Sequence, residues 1–150
     1  MASRVHELIE ALVTRGRTDE ALAGVVVTDG PEVTDQAATE WLVIGFDGDP
    51  EGDFQAAQSV AEFSGLGTSQ EETFQVTVAA IVSRGDGDVA AARTRAYEIA
   101  AVPEGWLRTD PSLGLRSLQA RIEATRLIQD QSEDGLQVVL LLTVAGRAFT

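Results

Sequence analysis

ETFQVTVAAIVSRGDGDVAAARTRAYEIAAV, residues Glu72–Val102, is the stretch that decides the fold, because a strand pattern passes into a helix pattern within it. Over residues 73–83 the side chains alternate in polarity. The apolar side chains on one side of an extended chain would be Phe74, Val76, Val78, Ala80 and Val82. This alternation predicts a strand with one buried face. Ile81 falls on the other side, so we expect the second face to be partly shielded from water as well.

After the turn residues Gly85-Asp86-Gly87-Asp88, the apolar spacing becomes that of a helix. Either aspartate can cap that helix by accepting hydrogen bonds from its first free N–H groups. The apolar residues three or four apart are Val89, Ala92, Ala96, Ile99 and Val102. Pro103 and Gly105 are then expected to end or kink the helix, and a further turn returns Trp106 and Leu107 to the core. A strand followed by an amphipathic helix can bury a two-layer core.

Length and composition indicate one domain that spans residues 1–150. The chain has 150 residues, 44% of them hydrophobic, which is long enough for one domain with a core and too short for two domains of ordinary size. No apolar run approaches the roughly 20 residues that cross a bilayer, and the N-terminus lacks the apolar centre of a signal peptide. We therefore expect a protein that is neither exported nor inserted in a membrane.

The residue types present argue against most enzyme chemistry. The chain has no Cys and one histidine, His6, which excludes the usual zinc sites and most acid/base triads. It contains no phosphate-binding Gly-Lys-Ser/Thr loop and no complete dinucleotide fingerprint. We predict a protein that is not an enzyme and that uses no cofactor.

The formal net charge of −13 bears on contact with nucleic acid. Such a charge repels a phosphate backbone, so tight nucleic-acid binding is not expected. A negative surface can still line a passage through which DNA slides without binding.

The remaining patterns predict a helix and four further strands around this unit. An amphipathic helix begins at Val5 and should stop near Gly16. Short apolar strands are predicted over residues 24–28 and 41–46. Near the C-terminus, Leu118, Ala120, Ile122 and Ala124 alternate with polar residues as in a half-buried strand. The final strand, residues 136–145, is apolar on both faces, which predicts burial on both.

Residues 47–70 are predicted to form a protruding hairpin or loop arm. The segment is polar and rich in small residues, with a weak strand pattern from Phe54 to Phe63. Its composition supplies few core anchors, so we expect it to be flexible in a free subunit and to become ordered in an assembly.

Two short motifs in the chain have both a functional and a purely structural interpretation. Asp47, Asp49 and Glu51 resemble the start of a calcium loop, but Gln58 stands where the closing glutamate belongs and Pro50 interrupts the segment. An ordinary acidic turn is the alternative. Arg84-Gly85-Asp86 spells a cell-adhesion tripeptide, yet the junction before the helix needs glycine for its turn and aspartate for its cap.

The order of turns and strand starts resembles that of one family of virus proteins. The segments that carry the resemblance, in chain order, are Val27-Thr28-Asp29-Gly30-Pro31, Trp41–Gly45 followed by Asp47-Gly48-Asp49, Glu72-Thr73-Phe74, Gly85-Asp86 and Asp110-Pro111-Ser112-Leu113-Gly114. This arrangement is similar to the tail terminator proteins of long-tailed bacteriophages, especially those that infect actinobacteria. The resemblance covers nearly the whole chain. Such proteins commonly continue a helix up to the Asp-Pro turn, whereas Pro103 and Gly105 interrupt that region here.

The resemblance implies a single α+β domain with a mostly antiparallel, possibly mixed sheet and two main helices on one face. It implies a six-membered ring of identical subunits that caps the tail tube, ends tube polymerisation and joins the tail to the head-side connector. The expected partners are therefore copies of the same chain, the tail tube protein and the head-to-tail connector or stopper protein, with DNA only as passing cargo. The expected location is the virion, at the junction of head and tail, after assembly in the host cytoplasm.

Other functions remain open from the sequence. Within the structural class, the chain could be a connector, a stopper or a tail tube subunit. A second class is a soluble ligand- or metal-binding domain with carboxylates from Asp47, Asp49, Glu51 or Asp86.

Two sets of residues are predicted to serve the structural role. The candidate subunit interface comprises Ile81, Val139, Leu141, Phe54, Val60 and Phe63. The candidate acidic lining of the ring lumen comprises Asp47, Asp49, Glu51 and Asp53. We expect the second-face residues Ile81, Val139 and Leu141 to be covered by a neighbouring subunit or by the arm, because contiguous exposed apolar side chains seldom persist on a monomer.

Overall fold

A computed structural model of the chain describes residues 3–32, 37–133 and 135–150. Within these residues the secondary structure comprises two α-helices, one 3₁₀ helix and six strands. The helices are α1 (Val5–Thr18), a 3₁₀ turn (Glu20–Leu22) and α2 (Val89–Thr109), and the strands are β1 (Val26–Asp29), β2 (Glu40–Ile44), β3 (Ala57–Phe63), β4 (Gln70–Arg84), β5 (Leu118–Ser132) and β6 (Gly135–Phe149).

The strands form one mixed sheet in the order β1-β2-β4-β6-β5. β1 and β2 are parallel, and the other pairings are antiparallel. β6 pairs with β4 along nearly its whole length, whereas β2 and β3 share the opposite side of β4, end to end. The predicted α+β fold with a mostly antiparallel sheet is confirmed.

The core lies between this sheet and the two helices, which pack on the same face. The alternate β4 residues predicted to be buried are buried, and they pack against the inward residues of β6 and β2. From the helices, the buried contributors to this core are Leu8, Leu12, Val13, Ala92, Ala96, Ile99, Ala100, Trp106 and Leu107. Strand alternation and helix periodicity therefore meet at one apolar layer, as the sequence predicts.

α1 does not end at Gly16, contrary to the sequence prediction. The helix continues to Thr18, and Gly16 is buried within it. A Cβ at Gly16 would lie 2.9 Å from Cγ1 of Val27 on β1. The glycine therefore allows close approach between α1 and β1, and the chain leaves the helix only at Asp19, whose N–H donates to the carbonyl of Arg15.

α2 begins as predicted, with the two aspartates of the preceding turn in different roles. Asp88 caps the helix by accepting a hydrogen bond from the Ala91 N–H at 3.1 Å. Asp86 instead binds the Arg84 guanidinium at 2.6 Å, and this contact lowers the pKa of Asp86 to about 2. Arg84 and Asp86 thus bind each other across the turn, which supports the structural interpretation of the Arg-Gly-Asp tripeptide.

The expected end of the helix at Pro103 and Gly105 is wrong, because α2 continues through both residues to Thr109. Proline lacks the N–H that the helix would use at this position, which ordinarily destabilises a helix interior. Here Pro103 is itself buried, and the next turn places Trp106 and Leu107 in the core, 5% and 3% exposed. Burial of these large side chains offsets the local cost.

A bulge in β5 changes which side chains face the helices. The register with β6 shifts between Ile122 and Ala124. Before the shift, Leu118, Ala120 and Ile122 pack toward the core, as predicted. After it, Ala124 lies opposite Thr143 on the other face of the sheet, and Leu127 takes the core-facing position. The prediction that Ala124 shares a face with Leu118 is therefore wrong, because an extra residue reverses the alternation.

Three polar contacts fix the helices to the rest of the domain. Arg95 on α2 binds Glu40 on β2 at 2.7 Å. The Trp106 indole N–H donates to Asp19 at 2.7 Å, which lowers the pKa of that carboxyl. Oε1 of the fully buried Glu72 accepts from the Arg4 N–H at the start of α1, while its Oε2 has no hydrogen-bond partner among the described residues. The Glu72 carboxylate thus lies at the positive end of the helix.

Candidate assembly surface

The face of the sheet opposite the helices, called here the outer face, carries an apolar cluster of its own. Val43, Ala79 and Ile81 are buried in it, and Trp41, Phe46, Val139 and Leu141 pack around them while remaining partly exposed. Apart from Phe46, which follows β2, these side chains occupy the positions of β2, β4 and β6 that alternate with the core positions. The sheet is consequently apolar on both faces in its central region.

The loop of residues 45–56, called here the acidic loop, covers part of this cluster. Phe46 and Phe54 stack with ring centroids 5.2 Å apart and nearly parallel planes. A Cβ at Gly48 would lie 2.7 Å from Cδ1 of Ile81, so only glycine permits this contact without rearrangement. Phe54 has a φ of 58°, a left-handed conformation that is uncommon for a residue with a side chain. The loop is therefore held against the outer face by aromatic contact and close packing.

Both ends of the acidic loop meet at one residue of β4. The Gly45 N–H donates to the Thr77 carbonyl at 2.7 Å, and the Thr77 N–H donates to the Ala56 carbonyl at 3.0 Å. β2 pairs as far as Val78 and β3 begins pairing at Val76, so the loop leaves and rejoins the sheet at adjacent points.

The structure brings the four predicted acidic residues together in this loop. Three of their carboxylates accept hydrogen bonds from nearby backbone: Asp47 from the Asp49 N–H, Asp49 from the Glu51 N–H and Asp53 from the Gln55 N–H. Asp49, Glu51 and Asp53 are exposed, and Asp47 is half-buried. These short-range bonds are typical of aspartate in turns. Among the described residues, no group of three or more His, Cys, Asp or Glu side chains is arranged to hold a metal ion.

The six predicted interface residues divide between two places. Ile81, Val139 and Leu141 belong to the central apolar cluster, and the acidic loop reduces Ile81 to 6% exposure, whereas Val139 and Leu141 stay partly exposed. Phe54 lies in the acidic loop and is 49% exposed. Val60 and Phe63 lie on β3, opposite Thr73 and Gln70 near the start of β4. Ile81 is therefore covered by its own chain, and the most accessible members are those on β3.

Leu66 and Phe149 are among the exposed apolar residues that sequence reasoning missed. Leu66 lies in the turn between β3 and β4 and is fully exposed, and Phe149 at the end of β6 is 49% exposed. Phe149 pairs with Glu71, next to the Phe63–Gln70 pair. Val60, Phe63, Leu66 and Phe149, called here the apolar tip, all lie at one end of the sheet, where the register places Phe63 on the helix side and Val60 and Phe149 on the outer face. Two sequence features could have revealed these residues. Leu66 is an isolated leucine between two glycines, and the strand alternation of β6 continues past Ala145 to Phe149.

An apolar cavity of about 350 Å³ lies beneath the edge of the acidic loop, at the other end of β4. Its apolar lining includes Trp41, Val43, Phe46, Phe54 and Ile81. Its lining also includes Gly30 and Pro31, into which the chain continues after β1 ends at Asp29. The loop thus covers the cluster without packing closely against all of it.

The other half of the outer face carries more polar side chains and borders a groove of about 990 Å³, whose lining also includes Leu107, Arg108 and Pro111 at and just after the end of α2. Gln75 accepts a hydrogen bond from Gln58 and donates one to Glu123. Arg147 lies 3.6 Å from Glu71, and Arg121 lies 4.0 Å from Glu123. Acidic and basic side chains alternate here, so this half of the face has no strong charge of one sign.

The chain matches no protein-family model and no curated protein at a significant level. In the parts of the chain that the structure describes, neither helix is long and apolar enough to cross a membrane.

Proposed function

We propose that this chain is a structural virion subunit that forms a hexameric ring on the end of a long-tailed phage tail tube. The ring ends tube polymerisation and joins the tail to the head-side connector. The specific assignment rests on the resemblance of the turn and strand order to tail terminator proteins. The α+β fold with both helices on one face is the architecture that this resemblance implies.

The observation that carries an assembly role is the distribution of apolar side chains outside the core. The apolar tip includes Phe63 and Leu66, which are 74% and 103% exposed, and the outer face adds the partly exposed Trp41, Val139 and Leu141. The outer-face residues form one contiguous cluster, and contiguous exposed apolar groups commonly mark protein–protein contact surfaces. A ring subunit needs such surfaces for its neighbours and for the tube.

Tube capping is the direct test. Tail tube protein of the same virus is polymerised with increasing amounts of the chain, and tube lengths are measured by negative-stain electron microscopy. We expect shorter tubes with a ring at one end, and a mean length that falls as the ratio of the chain to tube protein rises. Incorporation along the tube would identify a tube subunit instead, and binding to the connector without any effect on tube length would identify a stopper.

The acidic loop leads to a second prediction within this proposal, that its carboxylates line the lumen. DNA carries one charge about every 1.7 Å of its axis, so a basic wall would retain it and an acidic wall keeps it off the surface. Changing Asp47, Asp49 and Asp53 to Asn and Glu51 to Gln removes four charges per subunit. The side-chain oxygens that accept the backbone hydrogen bonds remain, so we expect folding to be unchanged.

Particles that carry this fourfold variant are expected to eject DNA more slowly than unmodified particles in a fluorescence ejection assay. A matched control changes four acidic residues on other parts of the surface: Glu10, Glu20, Glu98 and Glu104 to Gln. The control should leave the ejection rate unchanged. Equal rates for both variants, with the loop on the outer wall of the assembled ring, would leave solubility as the role of these carboxylates.

A further inference from the structure

The apolar tip and the apolar cavity are far apart on one chain. Phe63 pairs with Gln70 at the start of β4, whereas Ile81 lines the cavity near its end. Eleven residues of strand separate Gln70 from Ile81, which corresponds to about 36 Å at about 3.3 Å per residue. The turn that carries Leu66 is short and closed by a hydrogen bond from the Ser64 N–H to the Ser69 carbonyl. The tip therefore cannot reach the cavity of its own chain.

We propose that the tip of one copy inserts into the cavity of the next copy, with Leu66 as the inserted side chain. This inference rests on the proposed function, because it names the contact that joins neighbouring subunits. A contact between two different patches of identical chains is heterologous, and it generates a closed ring when the rotation between copies closes. Tip and cavity are such a pair of different patches.

The size and polarity of the cavity suit the Leu66 side chain. An engineered enclosed cavity of about 150 Å³ holds a benzene molecule, so this cavity of about 350 Å³, which is open to solvent, has room for a leucine side chain. The lining by Trp41, Phe46 and Phe54 offers aromatic contact to an aliphatic side chain. Leu66 leaves water completely on insertion, since it is fully exposed in the single chain.

Charge also favours the tip, rather than another part of a neighbouring copy, as the segment that occupies the cavity. The cavity lies beside the acidic loop, whose carboxylates would repel an acidic segment, whereas the bordering Glu32 is already paired with Arg17. Residues 63–69, with the sequence FSGLGTS, contain no charged side chain. Gly65 and Gly67, with φ of 75° and 112°, keep the backbone on either side of Leu66 narrow. An uncharged, narrow tip can approach an acidic rim that the rest of a chain of net charge −13 would avoid.

Disulfide trapping tests this contact, because the natural chain has no cysteine. The double variant Leu66→Cys/Pro50→Cys places one thiol on the tip and one on the cavity lining. On mild oxidation we expect a ladder of dimers, trimers and higher oligomers on a non-reducing gel. Each single variant has one thiol and can give dimers at most, and a mixture of the two single variants should give mainly the mixed dimer.

The matched control is Leu66→Cys/Tyr97→Cys. Tyr97 is also an exposed apolar residue, but it lies on α2 and is not part of the cavity lining. An equal ladder from this control, or no ladder from Leu66→Cys/Pro50→Cys, would overturn the contact. A second measurement compares self-association by analytical ultracentrifugation. Leu66→Ser should raise the dissociation constant between copies at least about tenfold, whereas Tyr97→Ser, at an exposed site on α2, should not change it.

The outcomes separate this inference from the proposed function. Tubes that are capped normally by a chain that gives no ladder would refute the tip contact and retain the capping role. A ladder from a chain that has no effect on tube length would retain the contact and refute the capping role.

Discussion

Replacing Leu140 by Asp is expected to abolish folding, whereas the same change at the neighbouring Leu141 should leave a folded monomer. Leu140 is 1% exposed in the core between sheet and helices, and Leu141 is partly exposed on the outer face. An unpaired carboxylate in the core costs at least about 4 kcal/mol, a large share of the roughly 5–15 kcal/mol that stabilises a domain. Circular dichroism and urea unfolding of the two purified variants measure the difference.

The pair also separates folding from assembly. Under the proposed function, Leu141→Asp should retain the far-ultraviolet spectrum of the natural chain but weaken association between subunits or with the tube. Leu140→Asp should yield insoluble or unfolded protein. Equal stability of both variants in urea would mean that the two faces of β6 are not distinguished by burial as described.

The second large effect is expected at Gly146, where substitution by Ala should destabilise the fold by at least about 3 kcal/mol. A Cβ at this position would lie 2.1 Å from the Gln119 carbonyl oxygen and 2.9 Å from Cα of Ala120, both on the backbone of β5. It would also lie 2.8 Å from the Phe74 ring, which already occupies the space above Gly146. Backbone on a paired strand cannot shift without loss of hydrogen bonds.

Gly105→Ala is the matched control for the same chemical change. Gly105 lies exposed within α2, and a Cβ there would meet no atom within 4 Å. Alanine in a helix interior is favoured over glycine by about 0.5–1 kcal/mol, so this variant should be more stable than the natural chain. Thermal unfolding of both variants gives the comparison. A Gly146→Ala protein that unfolds at the same temperature as the natural chain would contradict the close packing of β4, β5 and β6.

The parts of the fold that could be predicted are those in which local pattern and tertiary environment agree. β4 alternates with period two and α2 has apolar residues three or four apart, and both patterns describe surfaces that pack against the core. The errors arise where tertiary packing outweighs a local rule. Gly16 suggested a helix end but allows close packing on Val27, and Pro103 suggested a break but is buried in a helix that continues.

The bulge in β5 could not be predicted for a different reason. Leu127 and Ile128 are adjacent apolar residues, so the pattern does not say which of them faces the helices. Only pairing with β6 decides that Leu127 takes the core side. A register shift of one residue exchanges the two faces of a strand, and the amino-acid sequence does not show where that shift occurs in β5.

Only part of the candidate surface could be predicted. The acidic residues were found because they are close in sequence, and the second apolar face because both sides of the last strand are apolar. The cover that the acidic loop places over Ile81 depends on Phe46, Gly48 and Phe54 meeting in space. The apolar tip depends on Phe149 and Phe63, which are far apart in sequence, ending at the same end of the sheet.

Because both ends of the acidic loop are hydrogen-bonded to Thr77, the length and sequence of this loop can vary without a change in the sheet. Because Gly45 and Ala56 both bond to one residue of β4, the strands on either side keep their register whatever number of residues lies between them. Loop length adds only a slowly rising entropic cost. Related chains could therefore exchange this segment for one of different length and charge without redesigning the sheet, provided that the replacement still shields Ile81.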